Sequence, residues 1–264
     1  MTPPAAPRLG RLYLVPTPLD FGCAISDTPD EGIVAALPQA TLKTAAELTH
    51  WVTENAKSTR AFLKRVHAVC PLVAPVQTHN MVELPRQVHK KGDHDSAGGF
   101  DARPLLKPAL EGHNIGLVSE AGMPAIADPG ASVVRAAHAL GMEVIPLVGP
   151  VSLMLALAAS GLNGQNFAFV GYLPQDASER AQRINQLEAL ALKTGQTQLF
   201  IETPYRNAAL LQALQQTLKP TTRLAVCCGM TLPTQKTHSA PVSDWKKRPP
   251  TMPLDLPTLF LLGK

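Results

Sequence analysis

Short apolar runs alternate with stretches of helical spacing along most of the chain, and this alternation restricts the fold more than any other feature. Asn114 to Ser119 reads as a strand left through Gly122 and Pro124. Ser132 to Leu140 carries Val133, Val134, Ala137 and Leu140 at helical spacing, with Gly141 as its C-terminal cap, and Met142 to Val148 is the next strand. Strand, helix and strand within about thirty residues form a βαβ unit. Arg11 to Val15 supplies an earlier strand, stopped by Pro16 and Pro18. After Gly149-Pro150 the pattern resumes with helices over Ser152 to Ala159, Ser178 to Leu192 and Arg206 to Leu218, and strands over Phe167 to Leu173, Gln198 to Thr203, Arg223 to Met230 and Leu256 to Leu262. Such regular alternation predicts α/β layers rather than a bundle or a sandwich.

The length of 264 residues suits two domains, divided at a Gly149-Pro150 hinge into 9–148 and 149–264. Two stretches depart from the pattern. Arg86 to Arg103, polar and rich in His, Lys and Gly, predicts an exposed insertion, and Thr234 to Pro253 a Pro-rich connection. The insertion holds His89, Asp93, His94 and Asp95, but no rigid element there fixes a coordination geometry, so no metal site is expected. Cys23, Cys70, Cys227 and Cys228 include no C-x-x-C pair, and Cys227-Cys228 in an apolar run read as reduced core residues. No apolar run spans a bilayer and Met1 to Leu9 lacks a secretory core, so a cytoplasmic protein with no membrane partner is expected. A net charge of +4 favours an anionic partner without reaching the level of a nucleic-acid-coating chain.

The segment from Gly116 to Gly130, GLVSEAGMPAIADPG, runs from a buried strand through a loop holding Gly122, Pro124, Pro129 and Gly130 into a helix. Loops at the carboxyl ends of strands are where α/β sheets bind ligands, and glycine lets the backbone approach one closely. The segment is neither a P-loop nor the G-x-G-x-x-G fingerprint, which removes the main support for nucleotide hydrolysis and for the usual hydride transfer.

Six blocks occur in one order: Leu12 to Pro18 (LYLVPTP), Ser119 to Pro124 with Asp128-Pro129-Gly130, Gly149 to Ser152 (GPVS), Ala159 to Leu162 (ASGL), Phe169 to Pro174 (FVGYLP) and Phe200 to Arg206 (FIETPYR). This order resembles the tetrapyrrole methylase family, within it the branch that methylates a cytidine ribose 2′-hydroxyl of 16S rRNA. The resemblance implies two α/β domains with S-adenosylmethionine in a trough between them, in a homodimer acting on rRNA or the small ribosomal subunit. By the same resemblance the cofactor contacts are Glu120, Gly122, Pro124, Asp128, Gly149, Ser152, Tyr172, Glu202 and Thr203. Ile126 and Leu173 are apolar edges that suit an adenine.

Three segments depart from the rRNA branch: Leu19-Asp20-Phe21 after the first strand, Glu54-Asn55-Ala56-Lys57, and Gly229 to Gln235. They leave open a tetrapyrrole or other small-molecule acceptor, or an inactive relative that binds cofactor or RNA. Methyl transfer to a hydroxyl needs alignment and removal of a proton, for which Glu54 and Glu120 are the candidate catalytic carboxylates. Glu54 reads equally as a cap partner for the helix Asn55 to Ala68. On that helix Lys57, Arg60 and Lys64 share an arc of about 60°, a basic stripe suited either to an RNA backbone or simply to solvent. Trp51 and Trp245 are too isolated to make a base-stacking platform.

Overall fold

A computed structural model describes residues 8–20, 29–85, 88 and 100–264, so most of the expected insertion, with its His and Asp residues, and Phe21 and Cys23 lie outside the described residues. Two units emerge, Met1–Val151 and Ser152–Lys264.

The first unit is built on five strands, β1 (Leu12–Leu14), β2 (His50–Thr53), β3 (Asn80–Glu83), β4 (Ile115–Val118) and β5 (Val144–Pro146), ordered β3-β2-β4-β1-β5. Every pairing is parallel. A parallel sheet needs cover on both faces, because its crossover connections return over them. Alternate residues accordingly enter two different cores. Leu12, Val52, Ile115 and Leu117 pack with Leu106, Val133 and Ala137, whereas Val15, Trp51 and Val118 pack with Leu37, Leu42, Phe62 and Leu63. The covering helices are α1 (Pro29–Ala36), α2 (Gln39–Glu47), α3 (Ala56–Val69), α4 (Lys107–Leu110) and α5 (Ala131–Ala139). Gly116 makes room for the indole beside it: a Cβ there would lie 2.5 Å from two ring atoms of Trp51. The sequence reading missed α1, α2, β2 and β3, all short or weakly patterned.

The second unit also carries five strands, β6 (Phe167–Tyr172), β7 (Thr197–Glu202), β8 (Arg223–Cys228), β9 (Lys236–Pro241) and β10 (Thr258–Gly263), ordered β6-β7-β10-β8-β9. Only β6 and β7 run parallel; the other neighbours are antiparallel. Phe200 and Phe260 are register partners with rings stacked 6.0 Å apart, in a core that includes Ile184, Leu187, Leu214, Val226 and Trp245. Helices α6 (Ser152–Ser160), α7 (Ala177–Thr194), α8 (Asn207–Thr217) and α9 (Val242–Lys247) complete the unit. Asp176 caps α7, accepting hydrogen bonds from the backbone of Ser178 and Glu179, and Gly195 ends it at φ 72°.

The expected connection Thr234 to Pro253 is instead an edge strand followed by a helix. β9, KTHSAP, is polar because it is paired on one edge only, and its ladder with β8 depends on backbone groups that composition does not reveal. Trp245 of α9 is buried and donates from Nε1 to the Leu224 carbonyl at 2.9 Å. Cys227 and Cys228 are buried and free, as expected of core thiols, and burial pushes both thiols up.

Candidate functional site

β4 is buried throughout, and its carboxyl end delivers the chain to the loop Ser119 to Gly130. The loop is fastened first by main chain: Thr17 N–H donates to the Gly122 carbonyl at 3.0 Å and Gly122 N–H returns a bond to Thr17 at 3.1 Å. This antiparallel bridge stands alone beside an all-parallel sheet. Gly122 is required there, with φ 78° and a virtual Cβ only 2.9 Å from Leu19 Cδ2. The loop then folds back, Ala125 N–H donating to the Pro129 carbonyl at 3.3 Å. Ala125 and Ala127 sit at φ 65° and 61°, left-handed values that disfavour a side chain by roughly 1–2 kcal/mol each. Strain of this kind persists where the surroundings over-determine the backbone, and it clusters at ligand-holding loops.

Three carboxylates gather on this loop. Glu54 reaches it from the end of β2, its Oε2 accepting the Glu120 main-chain N–H at 3.1 Å. Glu54 is therefore not the cap of α3. Asn55 takes that place, accepting from Lys57 and Ser58 N–H, while Glu83 Oε1 accepts from Ala56 N–H at 2.8 Å. A shorter side chain one residue later meets the first-turn amides directly, which frees Glu54 for the neighbouring strand end. Asp128 has its carboxyl pushed up to about 7, first by burial and then by the negative charges of Glu54 and Glu120. The sequence placed Asp128 among the cofactor contacts and gave little sign of this raised carboxyl, whose only local signal is its setting between Ile126-Ala127 and Pro129.

The remaining first-unit candidates fall into two kinds. Glu120 and Ile126 are exposed, the latter an apolar side chain on the loop's open side, whereas Gly122 and Pro124 are buried within it. Ser119 is buried, and its hydroxyl is without a hydrogen-bond partner among the described residues. Gly149 has a packing reason to be glycine: a Cβ would fall 2.2 Å from Pro16 Cγ.

In the second unit Ser152 opens α6, and Tyr172, the last residue of β6, is exposed. Leu173, expected at an apolar edge, instead has its side chain in the core, because the strand's next step turns it inward. Glu202 is 8% exposed and already engaged: its Oε1 accepts from Thr203 N–H at 2.7 Å, Arg206 Nη2 at 2.7 Å and Arg206 Nε at 3.1 Å. The Glu202 side chain thus fixes the turn after β7, and Arg206, which the sequence reading did not single out, is its counter-charge. The same holds for Asp20 in a departing segment, buried and paired with Arg65 Nη2 at 2.8 Å.

On α3, Lys57, Arg60 and Lys64 lie exposed along one face, opposite buried Phe62 and Val66, and none pairs with a carboxylate among the described residues. Among the described residues, no group of three or more His, Cys, Asp or Glu is arranged to hold a metal ion, and no helix is long and apolar enough to cross a membrane.

The family model for tetrapyrrole (corrin/porphyrin) methylases matches residues 40–245. The chain belongs to that family. It is similar to the Ribosomal RNA small subunit methyltransferase I of Escherichia coli O157:H7, 28% identical over 235 residues, covering 89% of this chain and 70% of that protein. Against the protein of that name from Halalkalibacterium halodurans it is 30% identical, covering 75% of this chain and 56% of the relative. Against that of Xylella fastidiosa it is 31% identical, covering 82% and 67%. The chain thus spans between 56% and 70% of the length of these three relatives. Among solved structures, the methyltransferase CobJ superposes with a TM-score of 0.56 at 17% identity, over 97% of this chain and 94% of that one. The uroporphyrin-III-C-methyltransferase of Thermus thermophilus gives 0.50 at 18% identity, over 97% and 92%. Both share the fold of this chain.

The residues of the first-unit loop fit the S-adenosylmethionine that the family resemblance implies. The buried Ser119 hydroxyl, without a partner among the described residues, suits its polar end, and Gly122, which has no side chain, lets the backbone come close. The Glu120 carboxylate suits a positive charge, and exposed Ile126 suits a flat apolar ring.

Proposed function

We propose that the protein is an S-adenosylmethionine-dependent methyltransferase that methylates rRNA at a ribose 2′-hydroxyl. The similarity to rRNA methyltransferases over three quarters or more of the chain carries this reading. The preformed loop Ser119 to Gly130 supports it. The cofactor supplies a methyl group on a sulfonium, transferred by in-line displacement.

The chain's own residues then bind, orient and move a proton. Gly122, Pro124 and Ser119 shape the main-chain cradle, and Glu54, one of the two carboxylates considered for the proton, holds the Glu120 amide and acts in this reading as a positioning residue. Glu120 stays a candidate to accept the hydroxyl proton, and Asp128, first read as a cofactor contact, joins it because a carboxyl pushed up to about 7 is well matched to that task. In the second unit Ser152, Tyr172 and Thr203 are proposed cofactor contacts, with Glu202 acting through its grip on Thr203 and Arg206. Lys57, Arg60 and Lys64 form the surface for the RNA backbone. The protein is a cytoplasmic homodimer in this reading.

The test is incubation with methyl-labelled cofactor and small ribosomal subunits that lack the modification. Label in 16S rRNA, recovered as a nuclease-resistant dinucleotide, is the expected result. Label passing instead to a tetrapyrrole, or cofactor bound without any transfer to RNA, overturns the rRNA assignment in favour of a small-molecule acceptor or an inactive relative. A cofactor Kd weaker than about a millimolar overturns the methyltransferase reading itself.

A further inference from the structure

The turn after β7 carries a side chain that neither the core nor the proposed cofactor contacts explain. Tyr205 is 81% exposed, the most exposed large apolar residue described, and it lies in a 3-10 turn, Pro204–Arg206, at the carboxyl end of β7. Single exposed aromatics are ordinary. This one differs in its mounting. Pro204 opens the turn with its φ fixed by the ring. Arg206, next along, is clamped by two nitrogens to buried Glu202 and by Nε to Thr203 Oγ1 at 3.3 Å. The clamped guanidinium lies 5.4 Å from the centre of the Tyr205 ring.

A cation held over an aromatic ring gives one face a fixed partner, and at 81% exposure the rest of the Tyr205 ring meets solvent. A rigid, solvent-facing π surface backed by a guanidinium is what an unpaired nucleobase stacks on, and it is tolerant of base identity because every base has a π face. A purely apolar peptide makes no use of the cation, and a paired base inside a duplex presents no free face. Lys57, Arg60 and Lys64 of α3 belong to the first unit, so a stacking residue in the second is a separate, salt-insensitive contribution.

We propose that Tyr205, braced by Arg206, is a stacking site for an unpaired base of the RNA acceptor, and so a substrate-positioning residue rather than a cofactor contact. The inference rests on the RNA reading given above and adds to it the single-stranded character of the segment bound.

The experiment measures binding of a fluorescein-labelled single-stranded RNA dodecamer, and of the same sequence as a duplex, to the full chain and to Tyr205→Ala and Tyr205→Phe, with S-adenosylmethionine affinity followed by calorimetry. Tyr205→Ala is expected to weaken single-strand binding about tenfold, equivalent to ~1.4 kcal/mol. Tyr205→Phe, which keeps the ring, should stay within about twofold. The ratio between wild type and Tyr205→Ala should be the same at low and high salt, since stacking releases no counterions. Cofactor affinity and thermal unfolding should not move. If the wild type binds the single strand but Tyr205→Ala binds it equally well, the stacking site is wrong and the RNA reading survives. A loss of cofactor affinity in Tyr205→Ala makes the residue a cofactor contact and overturns the proposal. If the wild type binds no RNA of either form, the stacking site and the RNA reading fall together.

Discussion

The two sheets of this chain have five strands each and solve different problems. The first is parallel throughout, packed by a core on each face of its central strands, and discharges β4 into a loop that is strained at Ala125 and Ala127 and crowded with Glu54, Glu120 and Asp128. The second is mostly antiparallel, and its strand ends are tied by satisfied pairs such as Glu202 with Arg206. A parallel sheet brings successive carboxyl ends to one edge, where loops can be shaped for a ligand at some cost in stability. An antiparallel ladder gives the second unit more direct pairing to hold a core. The lesson is that the first unit concentrates backbone strain and like charge in one loop, while the second unit spends its strands on a packed core.

Substitutions can break or sharpen this contrast. Phe260→Ala removes a ring stacked on Phe200 from a fully buried position and should destabilise the protein by about 3–5 kcal/mol in chemical denaturation. A loss under 1 kcal/mol would remove the case for the second unit as the tightly packed one. Asp128→Asn should do the opposite. The folded carboxyl is raised from 3.8 to about 7, so the stability its protonated form provides is complete below pH 3.8 and lost as pH rises through 7. An amide keeps that stability, so the variant should gain on the wild type from pH 3.8 upward and level off above 7 at no more than about 4 kcal/mol, measured by denaturation across pH, while methyl transfer falls. A variant no more stable at pH 8 than the wild type would show that the loop is not under electrostatic strain.

Gly116→Ala places a methyl against the Trp51 ring and should cost about 1–3 kcal/mol, sharpening the view that the first sheet is packed without slack inside the strand that feeds the loop. The smallest stability effect belongs to Lys57→Ala, Arg60→Ala and Lys64→Ala combined. Unfolding should shift by no more than about 0.5 kcal/mol, while the slope of log K against log salt for single-stranded RNA flattens by about 0.7 per contact removed.

Much of the fold was legible in the sequence. β1, β4, α5 and β5 were readable because Gly, Pro and apolar residues punctuate them, and Asn55 to Ala68 because its polar and apolar faces are cleanly separated. β2 and β3 were not, since four residues such as NMVE on a sheet edge have no periodicity to detect. β9 was hidden for the same reason, and only the backbone ladder with β8 identifies it. At the site, residue type indicated which loop matters but not which atom each side chain meets. Glu54 and Asn55 are adjacent and both suited to capping, and the choice between them is made by the strand end facing Glu54. Leu173 likewise follows an exposed tyrosine into the core, a direction that depends on the irregular register between Phe169 and Tyr172.

The paired bonds between Thr17 and Gly122 use only amide and carbonyl groups, so they ask nothing of the side chain at position 17 beyond a fit to its buried site. A proline there, which has no hydrogen on its nitrogen, would cut one strand of the fastening. Such a clasp lets the surrounding surface be rewritten for a new acceptor while the shape of the cradle is inherited unchanged.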